Sequence, residues 1–385
     1  MNNKRLYIYH TFLSRDPKLG QFHSIKSLIN QLDYIMEMGF NAILTNPIMQ
    51  SADNSHGYHI EDFYQIDNRL GTMKDFENLL KELRKRNMYF ILDITLNHCS
   101  DVGYYYKDFL QGKNDFFVVK DKPYNDVKTN IRDTIYDYRK DVNGYLCCAF
   151  NGFIPNLNVD SPNVRNEIRN ILHYWLKKAP DVLHIRWDGA YHCRWATHDF
   201  NASRYAKFIR ETVDEINPDI NIICESWWDN DLKGACQEYN EYCRNNFDFY
   251  NVFSVVNQIR SGRQFEDIHL DYCYKNPITF FSSNHDVSRI SSMLDNDVEK
   301  VKLFLKVMIE KTRNEDNVCV YYGTENNMEG LLCDCSDEVV RQPYDVFSMA
   351  RVIKDKNSLF YYIKDLIKKD KERRGIKWKY LKEHL

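Results

Sequence analysis

Glycine and proline are scarce, 14 and 9 of 385 residues, which excludes a collagen-like repeat, a disordered Pro/Gly tract and a linker-rich array. No apolar stretch approaches the about 18 residues of a membrane helix, and mean hydropathy is −0.59; a membrane-spanning protein is excluded. Excess positive charge is missing too. Lys plus Arg total 52 against 55 Asp plus Glu, a net charge of −3, so the basic footprint of a nucleic-acid binder is absent. No Cys-x-x-Cys occurs, and neither Cys147-Cys148 nor Cys333-Asp334-Cys335 has zinc spacing. The 11 cysteines are odd in number and cannot all pair; reduced thiols in a cytosolic protein are the expectation. The first fifteen residues lack the apolar core and small-residue cleavage site of a secretory leader.

What is present is a large supply of core: 43% of residues are apolar and 14% aromatic, enough for two domains or one large α/β barrel. Eight short apolar runs recur at 6–9, 41–45, 89–93, 182–188, 220–225, 247–253, 278–283 and 318–322. Between them the apolar period becomes helical. Ile25, Leu28, Ile29, Leu32, Ile35 and Met36 share a face before Gly39, and Thr72 with Asp75 forms a capping-box pattern ahead of Phe76, Leu79, Leu80 and Leu83. An open doubly wound sheet would alternate similarly, but eight runs suit a closed (β/α)8 barrel. The polar, aromatic interval 96–160 is far longer than a strand-to-helix loop. It reads as a small subdomain inserted after the third strand, dividing the barrel into 1–95 and 161–385. The pattern at 360–367 is helical, and the basic tail 368–382 is expected to prolong it.

In such a barrel the active site gathers where the strands end. The third run closes on Asp93-x-x-x-Asn97-His98, the fourth on Arg186-Trp187-Asp188, the fifth on Glu225-Ser226-Trp227, and the seventh on Asn284-His285-Asp286 with Arg289 following. Singly, each has an ordinary structural reading: a helix cap, an ion pair beside a core tryptophan, a solvated loop acid, a turn. Acids at four of the eight strand ends are hard to obtain from packing, because Asp and Glu are seldom buried without partners. A carboxylate pair is the minimum apparatus for cleaving a glycoside. Arg186 shares a strand face with Asp188, which it would hold ionised as a nucleophile requires. Glu225 adjoins Trp227-Trp228, an apolar surrounding that suits a general acid. His98, His285 and Asp286 would bind sugar hydroxyls.

With these residues placed, the chain resembles the α-amylase family, glycoside hydrolase family 13, over most of its length. Asp93-x-x-x-Asn97-His98 resembles the family's first region; Arg186-x-Asp188 with His192 resembles the second, Glu225 the third and Asn284-His285-Asp286 the fourth. Pro155-Asn156-Leu157-Asn158, Gly57-Tyr58-x-x-x-Asp62 and Tyr321-Tyr322-Gly323 resemble further family segments. The resemblance implies Asp188 as nucleophile, Glu225 as acid/base and Asp286 as transition-state stabiliser. Tyr58, Asp93, His98, Arg186, His285 and Arg289 become candidate substrate-binding residues, with Tyr58 stacking on the sugar and Trp187 or Trp227 as further platforms. His56-Gly57-Tyr58 is closest to the intracellular maltodextrin-degrading neopullulanase and cyclomaltodextrinase type. The implied activity is retaining hydrolysis of α-glucans. Transglycosylation on the same substrates, or a non-catalytic glucan-binding relative, stays open as an alternative. His59, Leu183-His184 and Ser283 depart from the usual pattern. The family's C-terminal β-sandwich is not expected within these residues. It fixes neither linkage preference, exo or endo action, nor oligomeric state. No cofactor is required. Calcium stays open, with Asn97 and His192 at two of the family's ligand positions and Asp133, Asp137 and Asp141 as unassigned acids.

Overall fold

The computed structural model describes residues 5–53, 56–122, 134–149, 154–190, 202–226, 233–272, 274–332 and 336–376. Eight strands close into one barrel: β1 (Tyr7–His10), β2 (Ala42–Leu44), β3 (Tyr89–Thr95), β4 (Leu183–Asp188), β5 (Ile222–Cys224), β6 (Asn246–Phe247), β7 (Ile278–Phe281) and β8 (Asn317–Tyr321). They run parallel in sequence order, and β1 pairs with β8 to close the ring. Buried on both faces, they read as near-continuous apolar runs, as a covered parallel sheet requires. Helices between the strands bury one stripe each. Met73–Lys85, for example, starts from the Thr72–Asp75 capping box and buries Phe76, Leu79, Leu80 and Leu83. No described helix is long and apolar enough to cross a membrane.

Three expectations are corrected. The run 247–253 is strand only as far as Phe247; the Asp248 carboxylate then accepts the Asn251 N–H and starts the helix Phe249–Arg260, which buries Val252, Val255, Val256 and Ile259 at helical spacing. The C-terminal helix Leu359–Arg373 carries the expected helical tail only from 368 to 373 and stops there, and 377–382 lie outside the described residues. Cys224 and Cys243 are joined in a disulfide, against the expectation of reduced thiols; Cys99, Cys147, Cys148 and Cys319 are buried and outside any disulfide.

Between β3 and β4 the chain folds a four-stranded antiparallel sheet from Val119–Lys120, Gly144–Ala149, Thr134–Arg139 and Ile154–Pro155. It is anchored to the end of β3: Leu157 N–H donates to Asn97 O at 2.8 Å and Cys99 N–H to Pro155 O at 3.3 Å. The Pro155–Asn158 motif is therefore what lays the insertion against Asn97 and His98.

Candidate active site

Register builds the site. Arg186 on β4 lies opposite Asp93 on β3, and Asp188 opposite Thr95. Glu225 is fixed just past β5 by paired backbone bonds: its N–H donates to Trp187 O at 2.9 Å, and Ala190 N–H donates to its carbonyl at 3.0 Å. The three acids converge on one buried guanidinium. Arg186 Nη1 donates to Asp93 Oδ2 at 2.6 Å and Asp188 Oδ1 at 2.8 Å, while Nη2 lies 2.9 Å from Glu225 Oε2. Gly189 N–H also donates to Glu225 Oε2 at 2.9 Å. His98 Nε2 stands 3.7 Å from Asp188 Oδ2.

Tyr58 arrives from the loop before the strand Ile60–Ile66, and its hydroxyl donates to Asp93 Oδ2 at 2.7 Å. The residue before it must be glycine. Gly57 has φ +94°, and a Cβ there would lie 2.7 Å from Pro47 O and against the Arg15 guanidinium. The Tyr58 ring stacks on His285 with centroids 5.3 Å apart. His285 Nε2 is 3.0 Å from Asp286 Oδ2, and Arg341 Nη2 donates to Asp286 Oδ1 at 3.2 Å.

The electrostatics divide the acids. Burial pushes Asp188 well above the usual carboxylate range; Arg186 opposes this, and Glu225, Asp93 and Asp286 reinforce it. Burial likewise raises Asp93 to about 6 against the pull of Arg186. Arg186 alone was expected to hold Asp188 ionised, but its charge is divided among three carboxylates. Asp286 behaves oppositely. Burial works to raise it, yet His285, Arg341 and Arg186 together hold it well below the usual range.

Asp188, Glu225, Asp93, Arg186, Tyr58, His98, His285 and Asp286 are thus brought together. Arg289 is not. Its three donor nitrogens go to Tyr322 O, Val340 O and Gln342 Oε1, so it binds a loop rather than facing sugar. Trp187 is wholly buried edge-on between Tyr205 and Tyr239, a core residue and not a platform. Trp227 and Trp228 lie outside the described residues. Two neighbours escaped the sequence reading. Arg341 sits in a polar loop with no spacing to tie it to Asp286. His10, at the end of β1, packs its ring 5.7 Å from that of His285; only its place at a strand end marked it.

The calcium option finds one matching feature. Asn97 Nδ2 donates to Gly189 O at 3.1 Å, while its buried Oδ1 has no protein partner. Asp141 is bonded to Tyr106 and Arg139 instead; Asp133, the Asp137 side chain and His192 lie outside the described residues. Among the described residues no group of three acids, histidines or cysteines is placed to hold a metal. One amide oxygen does not make a calcium site, and no step below depends on one.

The arrangement is that of a β/α-barrel protein whose site opens at the carboxyl ends of its strands. Residues 15–384 match the model for the alpha amylase catalytic domain, and the chain belongs to that family. It is 28% identical over 335 residues to alpha-amylase 3 of Dictyoglomus thermophilum, covering 83% of this chain and 62% of that protein. It is 26% identical over 333 residues to the intracellular maltogenic amylase of Bacillus subtilis, covering 82% of this chain and 51% of that protein. The chain therefore spans between half and two thirds of the length of these relatives. The crystal structure of the alpha-amylase from H. orenii superposes with a TM-score of 0.79 at 23% identity, covering 97% of this chain and 83% of that one. That likeness shows the barrel fold.

Proposed function

We propose that the chain is a retaining α-glucan hydrolase acting on maltodextrins through a covalent glycosyl–aspartate intermediate. The observation that carries this is the sharing of Arg186 by Asp188 and Glu225, which puts two carboxyl groups on one cleft as a retaining glycosidase needs. Asp188 is the nucleophile. Its Oδ1 is held by Arg186 and its Oδ2 is the oxygen left to attack the anomeric carbon. Glu225 is the acid/base: Gly189 N–H and Arg186 fix its Oε2, which leaves Oε1 to protonate the leaving oxygen. Substrate sorts the proton this crowded cluster holds: a glycosidic oxygen takes it from Glu225, while positive charge growing at the anomeric carbon favours ionised Asp188. Asp286, held ionised by His285 and Arg341, stabilises that positive charge. Tyr58, Asp93, His98, Arg186 and His285 bind the sugar or orient these acids.

The division into a barrel of 1–95 and 161–385 around a subdomain of 96–160 belongs to the same reading, supported by the antiparallel sheet within that interval. So does a cytoplasmic location, supported by the likeness to an intracellular maltogenic amylase; the Cys224–Cys243 pairing points the other way.

Proton NMR of freshly released sugar tests the mechanism. Initial release of the α-anomer is expected, and initial release of the β-anomer contradicts it. Chromatography at high maltotriose separates hydrolysis from transfer, since products longer than the substrate mark transfer.

A further inference from the structure

Arg289 follows Asp286 by three residues, is 2% exposed, and has every guanidinium nitrogen engaged by protein. Nη1 donates to Tyr322 O at 2.6 Å, Nη2 to Val340 O at 3.1 Å and Nε to Gln342 Oε1 at 2.9 Å, and the backbone N–H donates to Gly330 O at 2.8 Å. The cation also lies over the rings of Tyr321 and Tyr322, 5.0 and 4.8 Å from their centroids. Two of these acceptors, Val340 and Gln342, flank Arg341 on either side. Arg341 in turn donates from Nε to His285 O at 3.1 Å and from Nη2 to Asp286 Oδ1 at 3.2 Å.

We propose that Arg289 is a positioning residue, whose buried guanidinium seats the loop after β8 so that Arg341 meets Asp286. This rests on the proposed function, because it assigns Asp286 a part in the reaction. Three observations make the fit specific. The three acceptors lie at the start and the end of the loop, so one planar fork ties the strand end to residues 340–342. Gly330 leaves no room for a side chain: a Cβ would collide with Val339 O and lie 3.3 Å from Arg289 Cδ. Gly323 holds φ +83°, a conformation that favours glycine, where a Cβ would lie 3.0 Å from Arg289 Nη1. Lysine, a point donor on a flexible stem, cannot reach three acceptors at once.

The test is a double-mutant cycle of Arg289→Lys and Arg341→Gln, reading kcat and KM separately for nitrophenol release from a blocked nitrophenyl maltooligosaccharide, with Asp188→Asn as the blank. Each single variant is expected to lose about tenfold in kcat with KM little changed. The double variant is expected to fall no lower than Arg341→Gln alone, because both changes break one path. Losses that multiply, or an Arg289→Lys kcat within about twofold of wild type, overturn the proposal. If Arg289→Lys does not fold, Gln342→Leu replaces it, removing the Nε acceptor from a less buried position. A smaller kcat loss that does not multiply with Arg341→Gln is expected, and multiplication overturns the proposal. If wild type releases no more nitrophenol than Asp188→Asn, the proposed function fails instead. The positioning role is then read from amide hydrogen exchange of residues 336–342 in Arg289→Lys or Gln342→Leu: faster exchange supports it and wild-type protection overturns it.

Discussion

Two buried charge clusters sit at opposite ends of the barrel with opposite stoichiometry. At the carboxyl ends of the strands one arginine, Arg186, serves Asp93, Asp188 and Glu225. At the amino ends one carboxylate, Asp370 of the last helix, serves Arg5, Arg373 and Arg374 and accepts the Tyr7 hydroxyl at 2.7 Å. Both aspartates are buried, Asp188 with 6% and Asp370 with 2% of its surface exposed. Desolvation works to raise both, yet Asp188 is raised and Asp370 is lowered, by Arg5 first among its partners. Burial alone therefore does not set the protonation state; the ratio of cations to carboxylates does. An excess of cations pins an anion and ties helix to barrel. An excess of anions stores a proton where chemistry can use it.

Neutralising one carboxylate in each cluster separates the two most sharply. Asp188→Asn is expected to lower kcat by at least about 10⁴-fold. Its melting temperature should equal or exceed wild type, since one of three crowded carboxylates becomes neutral. Nitrophenol release and thermal melts on one preparation check both, and a residual rate above a hundredth of wild type would remove Asp188 from the nucleophile role. Asp370→Asn should do the reverse. It strands buried arginines and should cost about 3–5 kcal/mol of stability, with kcat per folded molecule unchanged, as denaturant unfolding and active-site titration would record.

A subtler change tests the shared proton. Asp93 is raised to about 6 and adds to the rise of Asp188. Asp93→Asn removes that neighbouring charge, so the acid limb of kcat/KM should move to lower pH, by roughly one pH unit. The stability sign follows from the same shift. A carboxyl that holds its proton more tightly folded than unfolded contributes stability at low pH and loses it as pH rises through about 6. The melting temperature of Asp93→Asn relative to wild type should therefore climb between about pH 4 and pH 6 and level off above that. A flat difference would mean that Asp93 does not titrate there.

The site cluster is legible in the sequence, and the amino-end cluster is not. Asp93, Arg186, Asp188, Glu225, His285 and Asp286 each stand at or just past a barrel strand end, so run length and strand order were enough to gather them. Arg5 and Asp370 are joined only because the last helix returns to the start of β1, a contact spanning the whole chain that no local period reports. The sixth strand was misjudged because Phe247-Asp248-Phe249 reads as strand until the Asp248 carboxylate caps a helix. Arg289 was misassigned for a related reason. Its distance along the chain from Asp286 is short, but its acceptors lie 33, 51 and 53 residues further on, and sequence spacing carries no record of which way a side chain turns.

The smallest predicted effects come from a bond the two clusters share. Tyr58 donates to Asp93 and Tyr7 to Asp370, each at 2.7 Å. Equal geometry need not mean equal function. At the amino end the tyrosine is one of several donors to an anion already held by arginines, so Tyr7→Phe should cost about 1 kcal/mol of stability and leave kcat/KM and its pH profile in place. At the carboxyl end the carboxylate is already short of positive charge, and the Tyr58 hydroxyl is one of the groups resisting its rise. Tyr58→Phe should push Asp93 further up, so that it keeps its proton longer and adds less to the rise of Asp188; the acid limb of kcat/KM should move to lower pH, by less than in Asp93→Asn, and KM should rise through the lost contact with sugar. Paired melts and pH profiles of the two variants decide the matter. If Tyr7→Phe moves the pH profile, or Tyr58→Phe leaves it in place, the opposition between a cation-rich anchor and an anion-rich proton store does not hold.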